Sequence, residues 1–306
     1  GEIYFGDRRV THLDPSDRDM GMVFQQPVVY PGLNVEENVE MPLKDAGIPK
    51  VERQERLDRV LTTLRLESIR DKPVEGLSIG QRQKISVART VARETGVILF
   101  DEPITDVDVE TKIQLKRSLK QIAKNLEGTI VYVTHDQTTS MTLADRITLM
   151  RNGNFVQDAP PRKLYREPSE RFGGWFLGNP GMNFSNYYVT SMNGAEKLQS
   201  PLFSTPITIE GIGNRDRVMI GIRPEHIKAY PDPDSSPVQG KILRKSVYVG
   251  GQYLVIIGLG NERIKAKVSP NTGRKLEDRI GLECPLDQVV VFDEDGIRLE
   301  SAQLTK

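Results

Sequence analysis

Leu77-Ser78-Ile79-Gly80-Gln81-Arg82-Gln83 and, one helix length further on, Val97-Ile98-Leu99-Phe100-Asp101-Glu102-Pro103 are the stretches on which the reading of this chain turns. The first opens a helix whose unpaired backbone N–H groups can face an anion. The second is a continuous apolar run, the pattern of a strand buried on both faces. It ends in adjacent carboxylates at the edge where open α/β sheets take their ligands. An anion site joined to acids at a strand end points to phosphate and metal chemistry, and so to nucleotide hydrolysis.

Each element of that reading has a plainer counterpart. Ser78-Ile79-Gly80-Gln81 fits a capping box, which begins many ordinary helices. In the functional reading the Ser78 hydroxyl and Gly80 N–H donate to a terminal phosphate, with the helix dipole adding roughly 0.3–1 kcal/mol. Asp101 is placed to hold Mg²⁺ through water, and Glu102 to orient or deprotonate the attacking water, assistance worth about 10²–10⁴ in rate. The alternative is a solvated pair of acids in a turn. His135 follows the apolar strand Ile130-Val131-Tyr132-Val133 and would share the sheet edge with Asp101. It can donate to a γ-phosphate or serve as an ordinary structural hydrogen bonder. Gln25, at the end of the Val23-Phe24 strand, can reach metal or water, or stand as a polar loop residue.

Around these stretches the first half alternates strand and helix signals. Gly21 to Phe24 is a short strand entering a loop at Gln25-Gln26-Pro27, and Leu57, Val60, Leu61 and Leu64 fall at helical spacing within 51–66. A second amphipathic helix carries Leu115, Leu119, Ile122 and Leu126 and stops at Gly128, before the strand Thr129 to Val133. A short helix to about Ala144, a strand Ile147 to Met150 and an Asn152-Gly153 hairpin follow. Such alternation predicts a largely parallel sheet with helices packed on it. Beyond Gly178-Asn179-Pro180-Gly181 short alternating strands take over: 218–222, 241–249, 253–259, 264–268 and 289–292, with Gly260-Asn261 a turn between two of them. That pattern predicts a small all-β barrel or sandwich of the OB type. The expected domains are 1–172, with a helical subdomain over about 26–95, and 173–306.

Composition narrows the classes. Lys+Arg and Asp+Glu both total 42 among 306 residues, so no net field attracts nucleic acid or an acidic membrane. The lone Cys284 forms no internal disulfide, in keeping with a reducing cytosol. No apolar run approaches the roughly 20 residues of a membrane span; the longest, Leu254 to Leu259, is broken at Gly258. Any membrane contact is therefore expected through a partner. The chain opens on Gly1 and a strand-like Glu2-Ile3-Tyr4-Phe5, as the middle of a domain would.

These residues, in this order, resemble the ATP-hydrolysing subunit of an ATP-binding-cassette importer, over nearly the whole chain. Leu77 to Gln81 is similar to the family signature loop, and Val97 to Glu102 to the Walker B strand with its catalytic glutamate. Val107-Asp108 resembles the D-loop, Gln25 the Q-loop glutamine and His135 the switch histidine. Gly221-Ile222-Arg223-Pro224-Glu225-His226 resembles the regulatory TOBE-type barrel of the carbohydrate and polyol subfamily. Phe24 to Tyr30, Gln83 to Ser86 and Gly178 to Phe184 are similar to glycerol-type importers. The resemblance implies a P-loop α/β cassette followed by an all-β domain, at the cytoplasmic face of the membrane, with ATP and Mg²⁺. Glu102 and His135 would be catalytic and Asp101 and Gln25 would serve the metal. Gln25, Ser78, Gly80, Gln81 and Asp108 would bind nucleotide. The implied partners are a second ATPase subunit, alike or different, whose nucleotide meets this signature loop, and permease subunits docking on about Gln25 to Val39.

Departures from the pattern concern the phosphate cradle. Ile79 replaces the first signature glycine, acceptable for a β-branched residue if it is already helical. No Gly-rich loop ending in Gly-Lys-Ser/Thr is present: the Gly240-Lys241 pair has Ser235 and Ile242 at the flanking positions. The chain as given is thus expected not to hydrolyse ATP alone, its parent carrying that loop upstream. The alternatives are a non-catalytic partner subunit that lends its signature loop and barrel to another ATPase, and a stand-alone solute-sensing or protein-binding module.

Overall fold

The computed structural model spans residues 1–306 and describes all of them except Asp106, Leu126, Glu127 and Asn193, together with the side chain of Val249. It forms two compact units, Gly1–Ala144 and Asp145–Lys306. In the first, a hairpin of β1 (Tyr4–Phe5) and β2 (Arg8–Arg9) precedes a parallel sheet of β3 (Met20–Val23), β4 (Val97–Asp101) and β5 (Thr129–Val133), in that order. Helices α1 (Val35–Asp45), α2 (Lys50–Leu64), α3 (Ile79–Ala92), α4 (Val109–Asn125) and α5 (Gln137–Leu143) complete it.

Local chemistry sets these elements. Asn34 caps α1 in a box with Glu37, and the buried Asn38 amide bonds both N–H and C=O of Tyr30, at 2.7 and 3.1 Å, pinning the loop to its helix. On α2 the stripe Leu57, Val60, Leu61 and Leu64 is buried, and the helix ends at Arg65 in the left-handed region. Leu115, Leu119 and Ile122 bury the matching face of α4, while Leu126 lies outside the described residues. These stripes join Ile85, Ala88, Ile98 and Phe100 in one core.

The sheet departs from the expectation of burial on both faces. Ile98 and Phe100 of β4 are fully buried against the helices, but Val97 and Leu99 are only half-buried. In register with Leu99 stand Met22 and Val131, 37% and 46% exposed, and Val133 further along is 55% exposed. Among the described residues one face of the sheet is therefore covered by helices and the other is open. An uninterrupted apolar run cannot report this, because both faces are apolar whichever is covered.

The second unit begins well before residue 173. The hairpin β6 (Ile147–Arg151) and β7 (Asn154–Ala159) forms a two-stranded sheet. With α6 (Pro161–Arg166) and α7 (Arg171–Phe176) it belongs to the β-rich unit: Arg171 N–H donates to Gly296 O at 2.6 Å and Arg298 N–H to Ser169 O at 2.9 Å. The later strands form two antiparallel sheets, the all-β pattern expected of this part of the chain. Six strands pair β8 (Asn183–Met192), β9 (Ala195–Leu198), β10 (Ile207–Glu210) and β11 (Arg217–Ile222) with late strands at Val289–Phe292 and Gln303–Thr305. The other sheet has five, with Val238–Val247, Tyr253–Leu259 and Glu262–Val268 as a meander and Lys228–Tyr230 and Arg279–Glu283 beside it.

Arg223, 1% exposed, binds this unit together. Its Nε and Nη2 donate to Tyr165 O at 2.9 and 2.5 Å, and Nη1 to Leu177 O at 2.5 Å. Its guanidinium stacks 3.5 Å above the Tyr165 ring, whose hydroxyl donates to Glu225. The motif residues Arg223 and Glu225 thus secure 165–177 to the turn that follows β11. Replacing Arg223 by Met should cost about 2–4 kcal/mol in urea unfolding, because buried carbonyls lose their donors at ~1–3 kcal/mol each; a cost near zero would show that the guanidinium is dispensable there.

Candidate functional site

The in-register pairs Val23 with Phe100 and Phe100 with Tyr132 bring the carboxyl ends of β3, β4 and β5 to one edge. Gln25, Asp101 with Glu102, and His135 leave from that edge. Gln25 and Asp101 are exposed. Glu102 and His135 meet directly: the imidazole Nδ1 lies 2.8 Å from Oε1 and 2.7 Å from Oε2. Thr105 Oγ1 donates to Oε2 at 2.7 Å, and the Glu102 N–H donates to Val133 O at 3.0 Å, tying the end of β4 to β5. The His135 bond, then that of Thr105, hold the Glu102 carboxyl below the usual carboxylate range, outweighing partial desolvation. An ionised carboxylate accepts only, so Nδ1 carries the proton of the shared bond.

The segment bearing His135 has its own anchor. Asp136 caps α5, accepting from Thr139 N–H at 3.1 Å and Thr139 Oγ1 at 2.7 Å, and pairs with Lys116 of α4 at 2.8 Å. Burial works to raise its carboxyl, but Lys116 and Thr139 outweigh burial and push it down to about 2. A lowered folded-state value means stability that is present above the ordinary carboxylate value and is lost as pH falls through the folded one. Asp136→Asn should therefore cost about 1–2 kcal/mol at pH 7, a difference that closes between about pH 4 and pH 2 in denaturation titrations. A pH-independent difference would exclude the ion pair as its source.

Ser78 and Gln81 complete the capping box. Ser78 Oγ accepts from Gln81 N–H at 3.2 Å, and Gln81 Oε1 accepts from Ser78 N–H at 3.0 Å. Ile79 is the first residue of α3, 47% exposed and outside the left-handed region. Its β-branch is therefore not strained there. Gly80 is buried, and a Cβ at this position would fall 2.8 Å from Thr111 Cγ2. Asp108 Oδ1 accepts from the Thr111 N–H at 2.9 Å, a bond that keeps its carboxyl low. Thr111 thus joins the start of α3 to the start of α4. Gln83, 1% exposed, donates to Phe24 O at 3.0 Å and ties α3 to the Gln25 loop. Gly80→Ala should cost about 1–3 kcal/mol, and adding Thr111→Ala should recover part of it; strict additivity in a double-mutant cycle would sink the contact.

Thr105, Thr111 and Asp136 were not among the residues singled out from sequence. Asp136 carried a cap signal, standing just before the 137–143 helix. Thr105 and Thr111 carried none beyond a hydroxyl three residues after an acid. A cleft of about 540 Å³ beside Arg18, Asp19, Gly96 and Thr129 lies at the opposite, amino-terminal end of the strands, away from these groups.

Comparison with known proteins adds the following. The family model described as ABC transporter matches residues 1–105. The maltose/maltodextrin import ATP-binding protein MalK of Mannheimia succiniciproducens is 37% identical over 233 residues, 74% of this chain and 63% of that protein. The sn-glycerol-3-phosphate import ATP-binding protein UgpC of Yersinia pestis is 35% identical over 303 residues, 98% of this chain and 84% of that protein. The uncharacterized ABC transporter ATP-binding protein YurJ of Bacillus subtilis is 32% identical over 306 residues, 96% and 83% of the respective chains. The chain therefore spans under two thirds of this MalK and over four fifths of the other relatives.

Proposed function

This chain belongs to the ABC transporter family of ATP-binding import proteins, and we propose that it binds and hydrolyses ATP to energise uptake of a carbohydrate or a polyol such as glycerol. The observation that carries the reading is Glu102: a carboxylate held ionised at the carboxyl end of a parallel strand, with a histidine from just past the neighbouring strand within 2.8 Å. A water-activating base needs to be deprotonated, fixed and at a ligand-accepting edge. His135, whose side chain is 68% exposed, is free enough to turn from Glu102 to a terminal phosphate oxygen and donate there.

Asp101 and Gln25 offer hard oxygen donors at the same edge. Among the described residues no group of three or more His, Cys, Asp or Glu side chains is placed to hold a metal. This donor set fits Mg²⁺, which takes most of its ligands from phosphate and water; when bound, it would neutralise phosphate charge. Ser78, Gly80 and Gln81 at the start of α3 face a nucleotide carried by a second ATPase subunit, of the same or a different kind, with Asp108 beside that junction. The exposed Val28 and Tyr30, beside the exposed Phe24, support a permease-docking role for Gln25 to Val39. No helix among the described residues is long and apolar enough to cross a membrane. By likeness to the import ATP-binding proteins, attachment would be peripheral, through those permeases at the cytoplasmic face. The second unit would be the TOBE-type regulatory domain.

In the assembled ATPase, Glu102→Gln should stop turnover while ATP binding persists, the two read by phosphate release and equilibrium nucleotide binding. Turnover retained in that variant would remove Glu102 from the role of base. Absence of turnover in the unmodified assembly would favour a non-catalytic partner subunit.

A further inference from the structure

Glu102 has a backbone φ of 45°, in the left-handed region, and is followed by Pro103. For a non-glycine residue this costs on the order of 1–3 kcal/mol and persists only where surrounding bonds hold it. Those bonds are the Glu102 N–H to Val133 O at 3.0 Å, the Thr105 N–H to Glu102 O at 3.3 Å, and the His135 and Thr105 bonds to the carboxylate.

The carboxylate's holders differ in kind. His135 comes from another strand, is largely exposed, and in the proposed reaction has a second task at the phosphate. Thr105 is tied to Glu102 through both its backbone N–H and its hydroxyl, so the turn itself holds the hydroxyl within reach of the carboxylate. We infer that Thr105 is the positioning residue of this site: its hydroxyl keeps the Glu102 carboxylate in place while His135 moves from the carboxylate to the nucleotide. Oε1 is then released for the attacking water, whereas Oε2 stays anchored. The inference rests on Glu102 acting as the base.

Valine keeps the shape of Thr105 and removes the donor; serine keeps the donor and removes the methyl. Steady-state ATP turnover by the assembled ATPase, with thermal melts to establish folding, tests the assignment. Thr105→Val should lower kcat about tenfold while KM for ATP changes by less than about twofold, because the hydroxyl acts on the base and not on nucleotide binding. Thr105→Ser should restore most of the loss. Unchanged kcat in Thr105→Val, or an equal loss in Thr105→Ser, overturns the inference, the latter assigning the effect to the methyl. Should Thr105→Val fail to fold, Thr105→Ala carries the same comparison. Glu102→Gln in parallel separates the claims: retained turnover there defeats the base assignment itself, whereas a dead Glu102→Gln beside a fully active Thr105→Val defeats only the role of Thr105.

Discussion

Hydrogen-bond register among the parallel strands β3, β4 and β5 is the constraint on which the candidate site depends. Val23, Phe100 and Tyr132 stand in one row across the sheet, so the chain leaves all of these strands at the same edge. Because parallel strands cannot be joined by tight turns, residues from 25, 101–102 and 135 reach that edge only after long excursions through helices. A slip of one residue would turn Phe100 off the core face. The Glu102 N–H bond to Val133 O extends the ladder one step past β4 and sets the carboxylate where His135 can reach it.

At the start of α3, the structural and chemical readings of the same residues coincide. Ser78 and Gln81 satisfy each other's backbone donors, as a helix terminus requires, and leave Gly80 buried against Thr111. A glycine placed here by packing needs no phosphate to explain it. The geometry nonetheless joins α3, α4 and the Gln25 loop through Thr111, Asp108 and Gln83. Movement at one would be felt at the others.

The β-rich unit depends on a different economy. A buried guanidinium serves backbone carbonyls of 165–177 instead of a carboxylate. Burial works against its charge, and the bonds to carbonyls and the Tyr165 ring offset that cost. The motif that suggested a regulatory domain thus has a structural duty within that unit.

Short-range pattern was enough to disclose the elements whose identity is local: the α2 stripe, the capping box at Ser78, the strands β3, β4 and β5 to within a residue at their ends, and the Asn152-Gly153 and Gly260-Asn261 turns. Residue order within those motifs also pointed to the ABC family, since acids at a strand end and a polar helix start carry their chemistry in sequence spacing. Only the tertiary structure decided that, among the described residues, one face of the parallel sheet is open, that the 147–159 hairpin joins the β-rich unit, and that the later strands form separate sheets of six and five. Those outcomes turn on which surfaces meet across long stretches of chain, which no local period encodes. For the same reason Thr105 emerged only in three dimensions: its hydroxyl acquires meaning from a left-handed turn at Glu102 that brings it 2.7 Å from the carboxylate.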